Sequence, residues 1–543
     1  MPGRAEGGGA EAPPQIRLLP LMSLIGKFAS VGSATMASRV LGFAREALIA
    51  AALGAGPVTD AFYAAFRFPN LFRRLFAEGA FNTAFIPLFA KEMEGGGMEA
   101  ARKFGEDVLA VLVTVLVALS ALAMIAMPFL VATIVAPGFT DTPEKFDLTV
   151  AMTRIMFPYL FCMSLVAMLS GVMNSMRRFF LAALVPVLLN VILIAVLIAA
   201  LAGGFDARAT GHWLAWGVFV SGFTQLGILV VAVRRHGFSM RLRTPRMTPA
   251  VRRLLVLMGP ALLTGGIMQI NLLVGTIIAS QQDKAISLLN FADRINQLPL
   301  GVIGIAVGVV LLPELSRSLK AGDLAEAQHL QNRSLEFALG LTVPAAVGLM
   351  VMPAPLIALL YERGEFTALD TAMTASALAA FASGLPAYVL AKVFQPGFFA
   401  REDMKTPMWY SLASVVTNIA VSLALFPYLG HVAIAIGTSV SAWVNVALLA
   451  GTLWRRSYFR PSALTLRRVA MIVLSSAVMA LVVWALMSAL GGTLAEGGTL
   501  LRGLAVLLIV ALAALSYLAL AVLTGAVDRN EIRGMLRRRP ARS

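Results

Sequence analysis

The residues best suited to chemistry form a charged cluster between Ser38 and Glu78, within an otherwise apolar chain. The cluster has eight charged side chains: Arg39, Arg45, Glu46, Asp60, Arg67, Arg73, Arg74 and Glu78. An arginine inside a membrane helix is costly, so it normally faces a protein interior or a water-filled cavity. A planar guanidinium suits phosphate and carboxylate oxygens. The cluster therefore predicts a binding site for an anion, with a diphosphate as the obvious candidate.

The spacing of the first charged residues predicts how they share a helix. Arg39 and Arg45 are six residues apart, about 120° of rotation on a straight helix. They share a face only if the helix bends, and Gly42 between them would permit a bend. Ser38 and Arg45, like Arg39 and Glu46, are seven residues apart. We expect these two pairs to compensate part of the charge along a cavity wall.

A second stretch continues the polar pattern. Asp60, Arg67 and Arg74 recur every seven residues, which predicts one polar stripe along a helix. We expect Asp60 near the outer mouth of a water-filled path and Arg74 toward the cytoplasm. The alternative is that these arginines only fasten helices by pairing with carboxylates, or that Arg73 and its neighbours reach the cytoplasmic headgroups.

The segment from residue 290 to 301 is the third polar stretch. Its side chains at spacings of four and three are Asn290, Arg294 and Gln297, with Asp293 beside them. Pro299 and Gly301 follow, and we expect them to interrupt the helix. A broken polar helix is typical of a substrate site near the membrane midplane.

Composition places these clusters in a membrane. The 543-residue chain is 59% hydrophobic and 13% charged, with a mean hydropathy of +0.83, which is far more apolar than a soluble domain. The single cysteine, Cys162, excludes a disulfide framework and a cysteine-based metal site. The sequence predicts an all-α polytopic membrane protein, because an open sheet cannot satisfy its backbone in lipid.

About fourteen apolar runs are long enough to cross a bilayer. Their approximate spans are 23–54, 58–92, 107–136, 148–176, 179–203, 212–233, 252–281, 284–317, 334–361, 370–400, 406–427, 431–453, 467–490 and 499–524. Arginine and lysine concentrate in alternate loops and in the C-terminal tail. The positive-inside rule then places both termini in the cytoplasm, so the net charge of +16 is a topology signal and not a nucleic-acid site.

Two stretches suggest an internal repeat. PGFTDTPEKFDLTVAMT, which precedes Pro158, resembles ERGEFTALDTAMT, which precedes Pro386, and Asn190 and Asn418 follow at similar places. Such similarity is typical of a transporter with two pseudo-symmetric six-helix lobes. The predicted parts are a flexible tail 1–20, lobes 21–233 and 254–453, a basic cytoplasmic linker 234–253, two further helices in 454–524 and a basic tail 525–543. The two further helices offer either a groove for a lipid tail or simple packing against lipid.

Three motifs resemble one known family. They are SRVLGFARE, GAGPVTDAFYAAFRFPNLFRRLFAEGAFNTAFIPLFA and FADRINQLPLGVIGIAVGVVLLPELS. They are similar to the MurJ (MviN) family of bacterial lipid II flippases, within the multidrug/oligosaccharidyl-lipid/polysaccharide exporter superfamily. The resemblance implies an alternating-access carrier that moves undecaprenyl-diphosphate-linked peptidoglycan precursor across the inner membrane. It implies a cationic cavity and a lipid-tail groove by the last two helices. Residues carried over by motif are Arg39, Arg45, Glu46, Asp60, Arg73 and Arg294.

The complete predicted substrate site combines these carried-over residues with the polar stripes. Its members are Ser38, Arg39, Arg45, Glu46, Asp60, Arg73, Arg74, Asn190, Asp293, Arg294 and Gln297. We expect lipid II and membrane lipids as partners, no nucleic acid, no metal and no cofactor. Gln297 stands where some family members have glutamate, so a carboxylate role is not assumed there.

The driving force is left open by the sequence. A sodium site of some family members would map onto Asn271, Asn418, Ser422 and Thr438, but no matching aspartate is present in the predicted eleventh helix. Membrane potential, a proton or sodium therefore all remain candidates. The chain has no hydrolase, Walker or zinc-protease motif and is not expected to be an enzyme. Alternatives are a flippase for another lipid-diphosphate glycan, a drug or cation exporter, and a membrane glycosyltransferase.

Overall fold

A computed structural model describes residues 19–74, 81–176 and 178–526, and its regular structure over these ranges is helical. The predicted tails and Glu78 lie wholly or mostly outside these ranges. The α-helices in the described part are α1 (Leu19–Leu53), α2 (Pro57–Phe72), α3 (Asn82–Ile125), α4 (Met127–Leu130), α5 (Pro143–Met156), α6 (Pro158–Ser175), α7 (Phe179–Gly203), α8 (Ala207–Arg235), α9 (Pro249–Ala279), α10 (Ala285–Lys320), α11 (Leu324–Val351), α12 (Pro353–Tyr361), α13 (Ala368–Phe399), α14 (Lys405–Leu429), α15 (His431–Arg455), α16 (Ala463–Ala489), α17 (Gly491–Glu496) and α18 (Thr499–Leu523).

The predicted all-α membrane class is confirmed, whereas the number of crossings is not. Within the described residues, ten helices are long and apolar enough to span a bilayer, counting Pro143–Ser175 as one. The remaining predicted spans fall largely on α1, α2, α9 and α10, which hold the polar clusters. Fourteen crossings therefore stays a prediction. The second predicted span was too long, because α2 ends at Phe72 and α3 begins at Asn82.

Two prolines do not break α10. We expected Pro299 and Gly301 to interrupt this helix, but it runs from Ala285 to Lys320 with Pro299 and Pro313 inside it. The expectation was wrong, although a proline does remove one backbone donor and strain one turn of a helix. In a membrane bundle, neighbouring helices and local adjustment can hold such a turn in place. The polar residues before Pro299 and those after it therefore lie on one continuous element.

The helices pack into two sets. In the first, α1 packs on α7, α2 on α5, and α6 on α8. In the second, α10 packs on α13, α13 on α15, and α14 on α15. α16 joins the second set through α11 and also packs against α18. The Tyr517 hydroxyl of α18 donates to the Gly340 carbonyl of α11 at 2.6 Å. We refer to α1–α8 as the N-lobe and to α9–α15 as the C-lobe.

The linker between the lobes is held against the N-lobe. It spans residues 236–248, shorter than the predicted 234–253 because α8 and α9 extend into it. Glu106 of α3 is buried beneath it, accepts a hydrogen bond from the Arg241 backbone N–H at 3.0 Å and pairs with Arg243 at 2.6 Å. The ring of Phe238 packs on Phe89. We call the linker side of the molecule the proximal end and the opposite side the distal end.

Candidate functional site

A polar cavity of about 210 Å³ lies between the two lobes, bounded by α1, α2, α9 and α10. Its lining comprises Arg45, Glu46, Tyr63, Phe66, Arg67, Asn70, Leu71, Arg74, Gln269, Leu272, Asn290, Asp293, Arg294 and Gln297. Four of these are arginines and two are carboxylates, so the lining carries a positive formal charge. Six of the eleven predicted site residues line it, so side chains from all three polar stretches of the sequence surround one space.

Arg45 is compensated within the N-lobe. Its guanidinium pairs with Glu46 and donates to the Asn190 side-chain oxygen at 3.1 Å. The Tyr63 hydroxyl donates to the other carboxylate oxygen of Glu46. The Asn190 amide donates to the Ser38 carbonyl at 3.0 Å. These contacts bring α1, α2 and α7 together around one buried ion pair, and they unite four predicted site residues with Tyr63, which the sequence did not single out.

Arg39 and Arg294 differ from Arg45, because neither forms an ion pair or hydrogen bond with another residue in the described part of the chain. The expected compensation of Arg39 by Glu46 was wrong: Glu46 turns to its sequence neighbour and to α2. The Arg39 guanidinium instead crosses to α10 and lies against Gly301, and the Arg294 guanidinium crosses to α1 and lies against Gly42. Each lobe thus contributes to the boundary one arginine that has no ion pair or hydrogen bond within the described residues.

The polar stripe of α2 reaches both the cavity and the C-lobe. Arg67 donates to the Thr276 hydroxyl of α9 at 2.6 Å, which joins the lobes on a second side of the cavity. Arg74 lines the cavity, whereas Arg73 is outside the lining and donates to the Asn70 oxygen at 2.7 Å. Thr276 and Asn70 were missed by the sequence analysis, since a lone polar residue on an apolar helix gives no signal of its partner.

The α10 stripe turns toward the same space. Asn290, Asp293, Arg294 and Gln297 all line the cavity, as their spacing predicted. The Gln297 amide donates to the Asp293 carboxylate one turn earlier. Gln297 therefore acts here as a neutral donor to a carboxylate, which a glutamate at this position would not do in its charged form.

Asp60 lies away from the cavity lining, at the distal end. Its carboxylate is fully buried, pairs with Lys145 of α5 at 2.8 Å and accepts from the Ser287 backbone N–H of α10 at 2.8 Å. Lys145 also contacts Asp283 of the C-lobe at 3.3 Å. Its position near the outer mouth stays a prediction, and its contacts are those of an interlobe fastening. Lys145 was missed because it is 85 residues from Asp60 in sequence.

Further backbone contacts close the distal end. The Glu365 N–H donates to the Ala51 carbonyl at 3.0 Å, and the Gly138 N–H donates to the Ser280 hydroxyl at 3.0 Å. Gly364 has φ of 58°, and a Cβ there would collide with the Ala51 backbone. Lobe contact at this end is thus made through the main chain as well as through the Lys145 ion pair.

The residues of the possible sodium site are in contact, and they form hydrogen bonds with one another. The Asn418 amide donates to the Asn271 oxygen at 2.7 Å, and the Asn418 oxygen accepts from Ser422 at 3.2 Å and Thr438 at 3.5 Å. No carboxylate joins this set, and no group of three or more potential His, Cys, Asp or Glu ligands occurs among the residues the structure describes. The donor set in the described residues is neutral and internally hydrogen-bonded.

Comparison with known proteins identifies the family. The family model described as "Lipid II flippase MurJ" matches residues 49–504. The chain is 52% identical to a probable lipid II flippase MurJ of Rhizobium tropici over 522 residues, covering 96% of this chain and 98% of that one. It is 36% identical over 447 residues to the lipid II flippase MurJ of Burkholderia cenocepacia, covering 81% and 86%.

Solved structures agree with this match. A lipid II flippase MurJ in an inward closed conformation superimposes with a TM-score of 0.76 at 25% identity, covering 93% of this chain and 99% of that one. An inward-facing multidrug resistance transporter of the MATE family gives 0.62 at 15% identity over 79% and 97%, which shows a shared fold. Taken with the cationic cavity between two lobes, these matches show that the chain belongs to the MurJ lipid II flippase family.

Proposed function

We propose that this protein moves lipid II, the undecaprenyl-diphosphate-linked peptidoglycan precursor, from the cytoplasmic to the periplasmic leaflet by alternating access. The observation that carries the proposal is the pair Arg39 and Arg294. These side chains come from opposite lobes, reach the interlobe boundary, and have no ion-pair or hydrogen-bond partner within the described residues. Arg294 lines the cavity, whereas Arg39 lies outside the lining and is exposed. A cation in a membrane protein that forms no ion pair is typical of a site that receives an anion.

The arginines divide into two groups by their contacts. Arg45 and Arg67 have partners within the protein, at Glu46 and Thr276, so they serve at least partly to fasten helices. Arg39 and Arg294 have none in the part described, so the fastening alternative does not account for them. A diphosphate bears oxygens on two adjacent phosphorus atoms and can accept from guanidinium groups on both lobes.

Cavity size supports a transport cycle with large movements. The observed volume is about 210 Å³, below the roughly 300–1,000 Å³ of ordinary small-molecule sites. A disaccharide-peptide headgroup is larger than such ligands, so the lobes must separate before it can enter. The distal end is fastened by Lys145 with Asp60 and Asp283, so the separation that admits substrate occurs at the proximal end.

The positive charge of the loops indicates how the protein is oriented in the membrane. The basic linker lies at the proximal end, and the positive-inside rule places such loops in the cytoplasm. We place both termini in the cytoplasm and the protein in the inner membrane. The proximal opening then admits lipid II from the cytoplasmic leaflet, and the polyprenyl tail stays in lipid, with the α16 and α18 pair as its proposed groove.

For the driving force we propose the membrane potential. Outward movement of a negative charge across an inside-negative membrane is favourable by about 2.3 kcal/mol per charge per 100 mV. The neutral, mutually bonded set around Asn418 gives sodium no evident site. The transported lipid leaves chemically unchanged in this account, so the protein acts as a carrier and catalyses no covalent step.

The test in cells is depletion of the protein followed by measurement of lipid II accessible to an enzyme added from outside. We expect lipid II to accumulate in protected form, and Arg39→Ala and Arg294→Ala to fail to restore exposure. Arg317→Ala is the matched control, because Arg317 is on the same helix as Arg294 and its side chain is 74% exposed. Unchanged lipid II exposure with loss of a different exported lipid-linked glycan would overturn the proposed substrate.

A further inference from the structure

We infer that Gly42 and Gly301 are positioning residues, each of which seats the guanidinium of an arginine from the opposite lobe and so sets how closely α1 and α10 approach. Gly42 of the N-lobe faces Arg294 of the C-lobe, and Gly301 of the C-lobe faces Arg39 of the N-lobe. The two contacts are reciprocal, so a single chance contact does not explain them. We call the boundary between α1 and α10 the seam.

The order of the contacts defines how the helices cross the seam. On α1, Arg39 precedes Gly42, whereas on α10, Arg294 precedes Gly301. Arg39 meets the later α10 position and Arg294 the earlier one, so the helices run antiparallel. The two α10 positions are seven residues apart, about 10 Å along the axis. Two guanidinium contacts at separate heights therefore span the seam.

While the guanidinium groups lie against the glycines, neither position has space for a Cβ. A Cβ at residue 301 would lie 3.1 Å from Cζ and 3.3 Å from Nη2 of Arg39, and closer still to Nη1. A Cβ at residue 42 would lie 3.5 Å from Cζ of Arg294 and closer to its Nη2. The obstructed atoms belong to the ends of flexible side chains, so alanine should displace the arginine and leave the fold intact.

The surrounding packing explains why displacement would reach the seam. α1 packs mainly on α7, and α10 packs mainly on α13 and α11, so direct α1 to α10 packing is slight in the described structure. The arginine side chains are the groups that bridge the space between these helices. A methyl group that pushes the guanidinium out of its seat therefore holds the helices further apart.

The contacts of the two arginines with Gly42 and Gly301 also relate closure of the seam to substrate binding. The same two guanidinium groups have no ion-pair or hydrogen-bond partner within the described residues, so a bound diphosphate would compete with the glycine seats for them. This consequence rests on the proposed function, whereas the seating itself does not. The seating can therefore be tested in the absence of any lipid-linked precursor.

The test is a distance measurement across the seam in the full-length protein in lipid nanodiscs. Spin labels are placed at Met36 of α1 and Arg317 of α10, both exposed, after replacement of the buried Cys162 by serine. The variants are Gly42→Ala and Gly301→Ala. Gly32→Ala is the control on the same helix as Gly42, because a Cβ there meets nothing within 4 Å.

We expect Gly42→Ala and Gly301→Ala to lower the ratio of closed to open seam about tenfold, within the range for residues in direct contact, and Gly32→Ala to leave it unchanged. The effect of Gly42→Ala should vanish in an Arg294→Ala background and persist in an Arg39→Ala background. The effect of Gly301→Ala should vanish in an Arg39→Ala background and persist in an Arg294→Ala background. This crossed pattern is what distinguishes a seat from a flexible point in the helix.

Two results would overturn the inference. The first is distance distributions for both variants that match that of Gly32→Ala. The second is an alanine effect of equal size in both arginine backgrounds, which would assign the glycines to helix flexibility. Failure of Arg39→Ala or Arg294→Ala to impair lipid II exposure would instead contradict the proposed function and leave the seating intact.

Discussion

At the scale of single residues, the site depends on which arginines have a partner. Arg45 and Arg39 are six residues apart on the same helix, yet Arg45 contacts Glu46 and Asn190 while Arg39 crosses to Gly301. The difference is geometric, because the side chain of Arg45 points to α7 and α2. The same residue type therefore performs two tasks within one motif.

The first prediction concerns the buried pair. Glu46→Gln keeps an acceptor for Tyr63 but leaves the guanidinium of Arg45 without a counter-charge. We expect the protein to lose about 2 kcal/mol of stability, seen as a lower melting temperature in detergent. Glu314→Gln breaks an exposed pair with Arg317 and should change the melting temperature little. Equal melting temperatures for the two variants would contradict the assignment of Glu46 as compensating charge.

Sequence reasoning found the charged members of the site but not all their partners. Arg39, Arg45 and Arg294 were identified because an arginine is energetically costly in an apolar run and therefore indicates a functional or structural role. Thr276 and Lys145 were not, because a threonine is unremarkable in a helix and Lys145 lies in what reads as a loop. Their roles depend on contacts with residues 209 and 85 positions away, which no local pattern specifies.

At the scale of elements, hydropathy located helices well and their interruptions poorly. α7 was predicted over 179–203, the range it occupies. α10 was expected to break at Pro299 and does not. Residues 93–106, which lie between two predicted spans, belong instead to the helical segment α3, which contains a kink at Gly97 with φ of 69°. Neighbouring helices decide whether a proline or glycine is accommodated, and the sequence of one helix does not contain that information.

The second prediction concerns the linker. The carboxylate of Glu106 holds the linker through the Arg241 N–H and the Arg243 side chain, and Glu106→Gln weakens both contacts. We expect trypsin to cut the linker of Glu106→Gln several-fold faster in inverted membrane vesicles. Glu99→Gln on the same helix is the control, since its side chain is 90% exposed. An unchanged cleavage rate would mean that Glu106 does not hold the linker.

The third prediction concerns the polar set on α9, α14 and α15. Because Asn418 is already bonded to Asn271, Ser422 and Thr438, sodium should not bind there. A ligand that binds the folded state raises its stability by mass action, so the melting temperature should be equal in sodium and potassium chloride at matched ionic strength. A specific rise in sodium that is lost in Asn418→Ala would contradict this.

At the scale of the whole molecule, the two lobes are joined by different means at different heights. The distal end has main-chain contacts and the buried Lys145 pair, while the middle has arginines that cross to the other lobe. Main-chain contacts are short and rigid, whereas arginine side chains are long and can rearrange. This distribution is what the proposed cycle requires, in which the lobes pivot about the distal end and substrate enters from the proximal side.

The fourth prediction concerns the distal fastening. Lys145→Met removes the cation between Asp60 and Asp283 and leaves a buried carboxylate facing the other lobe. We expect spin labels at Thr140 and Gln281 to shift toward longer distances. Lys284→Met is the matched control, because Lys284 pairs with Asp370 at the same 2.8 Å but within the C-lobe. Identical distance distributions in the two variants would show that Lys145 does not hold the lobes together.

The most direct measurement of the central claim is lipid II movement in proteoliposomes that contain the purified protein, with lipid II initially confined to one leaflet. Exposure at the other leaflet is followed with an added enzyme that consumes it. We predict transfer with the unaltered protein and with Arg317→Ala, and at least tenfold slower transfer with Arg39→Ala or Arg294→Ala, about the loss for removing one charged contact. Transfer that is equally fast in all four proteins would show that Arg39 and Arg294 are not the substrate site.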